Sequence, residues 1–422
     1  MKILVLNAGS STQKSCLYEI NDSLPNCPPQ PLWKANADWT KGNDVAELTI
    51  TTAHGAKVVE DIPIGTRSTI LKSMLKTLWS GQTQVIAQPT DISMIGHRVV
   101  HGGQEYREST LITPKVKKAI ARLSAFAPLH NPANLEGIEV AEHIFGNIPQ
   151  VAVFDTAFHS HLPLKTAVYP GPYEWFEQGI RRYGFHGISH QYCTDRSAHI
   201  LKRDVQSLKM ISCHLGNGCS LAAILDGHSI DTTMGLTPLE GLMMGSRSGT
   251  IDPSILIYLQ REKGYSAEQL DYELNRLSGL KGISGISSDM RQIMQASDEG
   301  NERAKLALEM YIYRFCFFLG AMMASLGGVD VLIFTGGIGE NVALVRARAC
   351  ETFSYLNLKL DLEKNAASPV DQDIAMPDSA VRVLIVHTEE DWEIAKECWK
   401  MRNRLQVNNG YRSSTHSHES EN

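Results

Sequence analysis

Short apolar runs rich in β-branched residues alternate along this chain with segments whose apolar residues recur at helical spacing. Runs of the first kind predict buried strands and are ISMIGHRVVHGG (92–103), QVAVFDTAFH (150–159) and VRVLIVHTEED (381–391). Runs of the second kind predict helices at 66–79, 114–126, 303–326 and 392–405. This alternation indicates an α/β protein.

Three apolar runs end in a tight turn of Gly, Asn or Ser residues. They are LVLNAGSSTQKS (4–15), ISCHLGNGCSLAAILDG (211–227) and VLIFTGGIGEN (331–341), and the first two resume as strands. Glycine allows positive φ and a close approach of ligand to backbone. Consecutive bare N–H groups in such a turn form a concavity that binds anions. Three such turns predict a nucleotide held from several sides.

Length and composition favour a two-domain enzyme. A chain of 422 residues is too long for one hydrophobic core. Its formal net charge of −6 argues against nucleic-acid and membrane-surface partners. No apolar run reaches the roughly 18 residues of a membrane span, and the first run stops at Asn7, too early for a signal peptide. The eight cysteines form no Cys-x-x-Cys pair, so we expect reduced, buried thiols in a cytoplasmic protein.

Two segments lack regular periodicity. Residues 22–45 are rich in Pro and Asn, and we interpret them as an irregular surface insertion leading into a strand. Residues 47–59 then predict a hairpin that turns at His54-Gly55. The segment 407–422 is polar, and we expect a disordered tail.

Polar residues and one glycine follow the apolar runs where each predicted strand ends. They are Asn7, Arg98, Asp155, Asn217, Gly337 and Glu390. Ligands of open α/β sheets bind beyond the carboxyl ends of the strands, so the six together predict a ligand site. Asn7, Asp155 and Glu390 offer the oxygen ligands that Mg²⁺ prefers.

Two arginines and one histidine are the candidates for handling negative charge. Arg98 lies between His97 and His101, and Arg247 lies in a Gly/Ser turn. Guanidinium groups pair bidentately with carboxylates or phosphates. His186 lies in a turn of RRYGFHGISH that would expose its ring, whereas the neighbouring histidines suit packing or hydrogen bonding.

Several common sites are excluded by their missing motifs. The chain has no His-Glu-x-x-His and no cysteines at zinc-ligand spacing. It has no Walker A motif, no Gly-x-Gly-x-x-Gly opening a helix, and no His-Arg-Asp loop of protein kinases.

From about residue 3 to residue 400 the sequence resembles the acetate kinase family, of the acetate and sugar kinase/Hsp70/actin superfamily. The resemblance rests on LNAGSSTQK, GHRVVHGG, APLHNP, FDTAFH, YGFHGISH, HLGNG, MGLTPLEGLMMGSRSG, GISSDMR and FTGGIGEN, in that order. It implies an α/β fold of two ribonuclease-H-like domains with the active cleft between them. It implies an N-terminal domain of residues 1–158 and 391–406, and a C-terminal domain of residues 159–390. A cytoplasmic homodimer is also implied.

The resemblance further implies a reversible reaction of ATP and acetate to ADP and acetyl phosphate, with Mg²⁺ as cofactor and Mn²⁺ able to substitute. Matched by motif, the metal ligands are Asn7 and Glu390, and the catalytic residues are Asp155, His186 and Arg247. Arg98 would bind the acetate carboxylate, and the pocket for the methyl group would be formed by Val100, Leu129, Phe185 and Pro238. The implied ATP-binding residues are Lys14, His214, Leu215, Gly216, Asn217, Gly218, Asp289, Met290, Arg291, Gly337, Ile338, Gly339, Glu340 and Asn341.

The chain departs from the family motifs at three places. Thr12 replaces a usual Ser, and Thr250 stands where an Asp is usual. Glu389-Glu390-Asp391 replaces the usual Asn-Glu-Glu, so the choice of Glu390 over Glu389 depends on the register. The role of Asp155 stays open, because a carboxylate substrate is already ionised at pH 7 and needs no general base.

Three other functions remain as alternatives. The first is a kinase for propionate or butyrate on the same fold. Val100 stands two residues after Arg98 in the predicted strand, so alternation places both on one face and favours a pocket for acetate. The second is an ATP-binding module without catalysis, which would not need Arg98, Arg247 and His186 together. The third, a structural protein, is disfavoured by the density of candidate site residues.

Overall fold

The computed structural model describes residues 1–9, 12–39, 45–63 and 65–416. The chain divides into two compact units: unit 1 comprises Met1–Ala157 and Glu389–Asn422, and unit 2 comprises Phe158–Thr388. The domain limits predicted from the sequence differ by one or two residues. Phe158 lies in unit 2, and Glu389 and Glu390 lie in unit 1.

Unit 1 is built on a mixed sheet, which has eight strands within the described residues. They are β1 (Lys2–Ala8), β2 (Thr12–Glu19), β3 (Trp33–Asp38), β4 (Val45–Thr52), β5 (Lys57–Pro63), β6 (Met94–Val99), β7 (Thr110–Leu111) and β8 (Gln150–Phe154), in the order β5-β4-β3-β2-β1-β6-β8-β7. Consecutive strands from β1 to β5 pair antiparallel, whereas β6 pairs parallel with both β1 and β8. The carboxyl ends of these three parallel strands therefore meet at one edge of the sheet.

The segment predicted as an irregular insertion contains a strand, so that prediction is wrong for Trp33–Asp38. Strand β3 pairs with both β2 and β4, and Trp33 is fully buried. The alternation of Trp33, Ala35 and Ala37 toward the core is easily missed, because two of the three side chains are only methyl groups. The predicted hairpin at 47–59 is confirmed by the pairing of β4 with β5. Residues 40–44 lie outside the described part of the chain.

Three helices of unit 1 come from its N-terminal segment: α1 (Arg67–Lys76), α2 (Pro114–Arg122) and α3 (Asn131–Phe145). Pro114 begins α2 as predicted, since a first-turn residue needs no N–H donor. Buried side chains of α1 and α3 form one hydrophobic core with Leu4 and Leu6 of β1.

Unit 2 repeats the central pattern of unit 1 in a second sheet. The strands are β9 (Lys209–Leu215), β10 (Cys219–Leu225), β11 (His228–Thr232), β12 (Val331–Thr335), β13 (Gln372–Asp373) and β14 (Arg382–Ile385), in the order β11-β10-β9-β12-β14-β13. Strands β9 and β10 form an antiparallel hairpin, and β9, β12 and β14 run parallel. Each unit thus places a hairpin turn beside the carboxyl ends of parallel strands.

The helices of unit 2 are α4 (Leu164–Ala167), α5 (Tyr173–Glu177), α6 (Gly187–Leu201), α7 (Ser254–Lys263), α8 (Ala267–Arg276), α9 (Gly279–Ser284), α10 (Met290–Asp298), α11 (Glu302–Leu326), α12 (Gly336–Asn341), α13 (Ala343–Thr352) and α14 (Leu362–Ala367). Helix α11 confirms the predicted helix at 303–326, and Gly327 ends it with a φ of 62°. By length and composition α11 could cross a membrane, but half of its most apolar stretch is buried inside the protein, as in the core helix of a globular domain.

The last helix, α15 (Glu390–His416), belongs to unit 1 and is longer than predicted. The helix extends into the segment 407–422, for which the disordered tail stays a prediction. Residues 417–422 of the predicted tail lie outside the described part of the chain.

Helix α15 packs directly on the sheet of unit 1 at Gly96 of β6. A Cβ atom at Gly96 would lie 2.6 Å from both Cys398 Sγ and Ile394 Cγ2. A Cβ atom at Gly137 of α3 would meet nothing within 4 Å. The two glycines are therefore present for different reasons, and only Gly96 is required by close packing.

We expect Gly96→Ala to lower the free energy of unfolding by about 1–3 kcal/mol, because the added methyl group overpacks the contact with α15. Gly137→Ala serves as the control and should raise that free energy by about 0.5–1 kcal/mol, as Ala does in a helix interior. Urea unfolding curves of both variants measure the difference. An unchanged midpoint for Gly96→Ala would contradict the packing of α15 on β6.

Candidate functional site

Four of the predicted strand-end residues lie together at the carboxyl edge of the unit 1 sheet. Arg98 Nη2 and Nε donate to Asp155 Oδ2 at 2.6 and 3.1 Å, and Arg98 Nη1 donates to Asn7 Oδ1 at 3.4 Å. Asn7 Nδ2 in turn donates to Glu390 Oε2 at 3.3 Å. We call Asn7, Arg98, Asp155 and Glu390 the carboxyl-edge cluster.

The Arg98–Asp155 pair is nearly enclosed, and only one of the two carboxylate oxygens of Asp155 accepts hydrogen bonds from Arg98. Asp155 is 1% exposed, and its Oδ1 has no hydrogen-bond partner within the described residues. Burial raises the pKa of the Asp155 carboxyl, and Arg98 opposes that rise. Burial lowers the pKa of Arg98, but Asp155 and Glu390 more than offset this, so the guanidinium stays protonated. The pair is thus a fixed dipole with one carboxylate oxygen still able to accept a hydrogen bond.

Arg98 keeps donors for a ligand. Three of its five N–H groups are used by Asp155 and Asn7 in the described structure. The two that remain belong to Nη1 and Nη2, which form the end-on fork of the guanidinium. That fork matches the two oxygens of a carboxylate.

The donor set of this cluster fits Mg²⁺. Asn7 and Glu390 provide an amide and a carboxylate group, and Asp391 Oδ1 accepts a second hydrogen bond from Asn7 Nδ2 at 2.8 Å. Asn7 Nδ2 donates to Glu390 Oε2, and the choice of Glu390 over Glu389 as the metal ligand stays a prediction. The described residues contain no group of three or more His, Cys, Asp or Glu side chains that could hold a metal ion. Mg²⁺ needs no such group, since it is commonly held by one or two carboxylates with substrate phosphates and water.

The residues predicted to line a methyl pocket fall in both units. Val100 and Leu129 belong to unit 1, and Phe185 and Pro238 belong to unit 2. The argument from strand alternation is wrong for Val100, because β6 ends at Val99 and the backbone bends at Val100. Val100 is nevertheless buried, and its N–H donates to Asn134 Oδ1 at 3.1 Å. Leu129 is 43% exposed and so is the least enclosed of the two in unit 1.

In unit 2, His186 and Arg247 converge on the turn between β9 and β10. A Cβ atom at Gly218 would lie 3.4 Å from His186 Nε2 and 3.5 Å from Arg247 Nη1. His186 has a φ of 54°, and its left-handed backbone begins α6. Its ring stacks on that of His214, with the ring centres 4.2 Å apart. Glycine at 218 therefore leaves room for a ligand group beside an imidazole and a guanidinium.

Arg247 is a partly buried cation held by neutral groups. Its Nη1 donates to the Pro238 carbonyl at 3.1 Å and contacts Met244 Sδ at 3.7 Å. Burial lowers the pKa of Arg247, and within the described ranges it forms no ion pair. A cation in such a place favours an anionic ligand, because the ligand would supply the missing counter-charge.

A cavity of about 1310 Å³ opens beside this turn in unit 2. Its lining includes eight of the predicted ATP-binding residues: Gly216, Asn217, Asp289, Met290, Arg291, Gly337, Ile338 and Asn341. It also includes residues that the sequence analysis missed: Ser288, Met294, Gln295, Asp298, Glu299, Val342, Ala343 and Leu344. The signal for some of these was helical spacing, since Met294 and Asp298 follow Met290 by four and eight residues on α10.

Six predicted ATP-binding residues do not line this cavity: Lys14, His214, Leu215, Gly218, Gly339 and Glu340. Leu215 is fully buried, and Lys14 is exposed on β2 of unit 1. Glu340 accepts hydrogen bonds from Gly336 N at 2.9 Å and from His387 Nδ1 at 2.7 Å. Burial raises the pKa of the Glu340 carboxyl, but the hydrogen bond and charge of His387 outweigh that rise, so the pKa lies below its usual value. In this structure both oxygens of the carboxylate are engaged by residues of unit 2.

Comparison with known proteins gives a consistent result. The model of the acetokinase family matches residues 2–396. A curated acetate kinase of Cyanothece sp. is 63% identical over 401 residues, covering 95% of this chain and 98% of that protein. One of Gloeobacter violaceus is 61% identical over 402 residues, with coverages of 95% and 99%.

Solved structures show the same similarity. The crystal structure of Porphyromonas gingivalis acetate kinase matches with a TM-score of 0.85 and 38% identity, covering 94% of this chain and 99% of that one. A propionate kinase from Francisella tularensis matches with a TM-score of 0.85 and 39% identity, with the same coverages. These matches confirm the predicted fold class.

Proposed function

The chain belongs to the acetokinase family, and from this premise we propose how its residues carry out the reaction. Its function is that of an acetate kinase, which transfers a phosphoryl group between ATP and acetate. The observation that carries the assignment is the identity of about 60% to several curated acetate kinases over nearly the whole chain. The roles of individual residues below are our proposal.

Acetate is bound as a carboxylate by the end-on fork of Arg98. One carboxylate oxygen attacks the γ-phosphorus in line, the new O–P bond forms, and the bond to the β-phosphate oxygen breaks with its electrons leaving on ADP. The transition state of such a transfer is loose, so positioning and charge stabilisation supply most of the rate. Arg247 and His186 stabilise the equatorial oxygens of the transferred group.

Asp155 acts by positioning Arg98 and needs to accept no proton in the forward reaction. The attacking carboxylate is ionised at pH 7, so no base is required. The support is geometric, since one oxygen of Asp155 receives two N–H groups of Arg98. The second oxygen, Oδ1, is placed to accept from a bound water or ligand group.

The nucleotide occupies the cavity of unit 2, with its adenosine toward α10 and its phosphates toward the turn at Gly216 to Gly218. Asn7 and Glu390 would hold Mg²⁺, which would neutralise negative charge of the nucleotide phosphates when bound. Supporting this, both offer oxygen donors at the edge that also carries Arg98.

A homodimer in the cytoplasm is the proposed working form. Helix α11 presents an outward row of Leu306, Tyr313 and Phe317, of which Tyr313 is 67% exposed. Helix α7 buries none of its residues in the chain and also exposes Ile255 and Tyr258. In a homodimer, a second copy of the chain would cover these apolar faces. Free, mostly buried cysteines suit the reducing cytoplasm.

A kinase for a longer acid is the second candidate, because a structure named as a propionate kinase matches as well as one named as an acetate kinase. Curated relatives near 60% identity carry the name acetate kinase, which favours acetate. One methylene group in an apolar pocket changes binding by only about 1–3 kcal/mol, so slow use of propionate is expected in either case.

The substrate is tested by hydroxamate assays of kcat/KM with acetate, propionate and butyrate. Acetate should exceed propionate by roughly 10–200-fold. Val100→Ala should shift the ratio toward propionate, because it removes two methyl groups from a buried side chain of the proposed methyl pocket. If Val100→Ala leaves the acetate-to-propionate ratio of kcat/KM unchanged, Val100 does not contact the substrate. A wild-type preference for propionate would overturn the acetate assignment.

The metal site is tested by Glu390→Ala, with Glu389→Ala as the matched control one residue away. Removal of Glu390 should raise the Mg²⁺ concentration needed for half-maximal activity at least about tenfold, since a ligand is lost. Removal of Glu389 should change it little. Mn²⁺ binding followed by electron paramagnetic resonance gives a second readout, and the opposite ranking of the two variants would refute the assignment.

A further inference from the structure

A chain of alternating hydroxyl and imidazole groups extends from His186 into the core of unit 2. His186 Nδ1 lies 2.9 Å from Ser220 Oγ, and His190 Nε2 lies 2.8 Å from the same oxygen. His190 Nδ1 lies 2.8 Å from Ser212 Oγ. Ser212, Ser220 and His190 are all fully buried. The reaction described above assigns no role to these three residues.

The protons of this chain can be ordered in two directions. In the outward direction Ser212 donates to His190 Nδ1, His190 Nε2–H donates to Ser220, and Ser220 donates to His186 Nδ1. In the inward direction each of these hydrogen bonds is reversed. The inward order ends on the hydroxyl proton of Ser212, which would then need an acceptor of its own.

Counting buried donors selects the outward direction. Among the described residues Ser212 Oγ has no hydrogen-bond partner besides His190 Nδ1. The inward order would leave the Ser212 hydroxyl proton buried without an acceptor, which costs more than a typical hydrogen bond contributes. The outward order gives every buried proton of the chain an acceptor.

Neutral imidazoles are a condition for this count, and the surroundings supply it. Burial lowers the pKa of His190 well below its usual value, and His159 and His214 lower it further. The stacking of His186 on His214, with ring centres 4.2 Å apart, disfavours two positive charges. A neutral His190 carries one N–H, so its two serine contacts must differ in direction.

We propose that Ser220, His190 and Ser212 are positioning residues that hold neutral His186 in the tautomer with its proton on Nε2. His186 Nε2–H then faces the turn at Gly218 as a hydrogen-bond donor, 3.4 Å from where a Cβ atom of Gly218 would stand. A preorganised donor stabilises negative charge without any proton transfer during the reaction. This inference rests on the proposed role of His186 toward the phosphoryl group.

A second hydroxyl chain beside the first has the same direction. Thr388 Oγ1 donates to Ser189 Oγ at 2.9 Å, and Ser189 Oγ lies 2.8 Å from His214 Nδ1. With Ser189 already accepting from Thr388, its own proton is available to His214 Nδ1. His214 would then carry its proton on Nε2, which lies 3.8 Å from the position of a Cβ atom at Gly216. Two stacked imidazoles would thus present N–H groups toward one turn.

The tautomer is measured directly by nuclear magnetic resonance of the full-length protein with ¹⁵N-labelled histidine rings. The His186 signals are assigned by their loss in His186→Gln. Near neutral pH we expect a protonated Nε2 and an unprotonated Nδ1. A protonated Nδ1, or protons on both nitrogens, would overturn the proposal whether or not the protein forms acetyl phosphate. Absence of acetyl hydroxamate formation by the wild type would instead count against the proposed function.

Variants then test whether the chain of hydroxyls matters. Ser220→Ala should give a mixture of His186 tautomers and lower kcat about tenfold or more, with little change in KM for ATP or acetate. Ser220→Thr keeps the hydroxyl and should restore the wild-type ring signals and most of kcat. Ser197→Ala is the control, since Ser197 is a buried serine of α6 whose Oγ has no partner within the described residues.

The two Ser220 variants separate positioning from a loss of fold. If Ser220→Ala keeps the wild-type tautomer and kcat, the hydroxyl does not position His186 and the proposal fails. If Ser220→Ala does not fold, the ring signals of the wild type and of Ser220→Thr still decide the tautomer.

Discussion

A buried guanidinium group is costly unless its charge and its N–H groups are compensated, and the ion pair of Arg98 with Asp155 organises the carboxyl edge of unit 1 in this way. The Arg98 side chain is 15% exposed and its partner Asp155 only 1%. Arg98 Nε and Nη2 both donate to one oxygen of Asp155, and Nη1 donates to Asn7. Two N–H groups of the guanidinium are therefore left for a substrate. The same pairing fixes Asn7, whose amide lies between Arg98 and the carboxylates that begin α15. The proposed carboxylate site and the proposed metal site therefore depend on one buried ion pair.

The candidate site residues of unit 2 differ from those of unit 1 in how their charge is compensated. In the proposed function the edge of unit 2 binds the group that carries negative charge. Among the described residues Arg247 has only a carbonyl and a sulfur as partners there, and neutral His186 is held by a hydroxyl. The glycines of the turn between β9 and β10 keep side chains away from these donors. In the proposed function, unit 1 supplies a neutralised cation for a small anion, and unit 2 supplies donors without a counter-ion for a phosphate.

The sequence carries much of this arrangement, because polar residues that follow apolar strands must emerge at the edge where parallel strands end. The contacts among Asn7, Arg98 and Asp155, at the ends of β1, β6 and β8, agree with that expectation. Glu390 follows β14 of the other sheet and contacts Asn7 from the start of α15. Helix α11 could also be predicted from the sequence, since its apolar residues recur at helical spacing over a long segment that is followed by glycine. Local pattern was less informative where side chains are small, as in β3, whose inward residues after Trp33 are alanines.

Orientation within a motif was the hardest property to predict. Glu340 belongs to the motif FTGGIGEN, yet its carboxylate turns under the loop to His387, a residue 47 positions away. Val100 lies just past the end of β6, so an alternation rule that holds inside a strand no longer applies. Both depend on tertiary contacts or chain ends, which single-sequence periodicity does not contain.

The central claim is that Arg98 binds the carboxylate whereas Arg247 binds the phosphoryl group, and steady-state kinetics of Arg98→Ala and Arg247→Ala test it most directly. Each variant should lose about 10²-fold or more in kcat, comparable with losing a donor to a developing charge. Arg98→Ala should also raise KM for acetate, and Arg247→Ala should leave it nearly unchanged. Turnover close to that of the wild type in both variants would contradict the account.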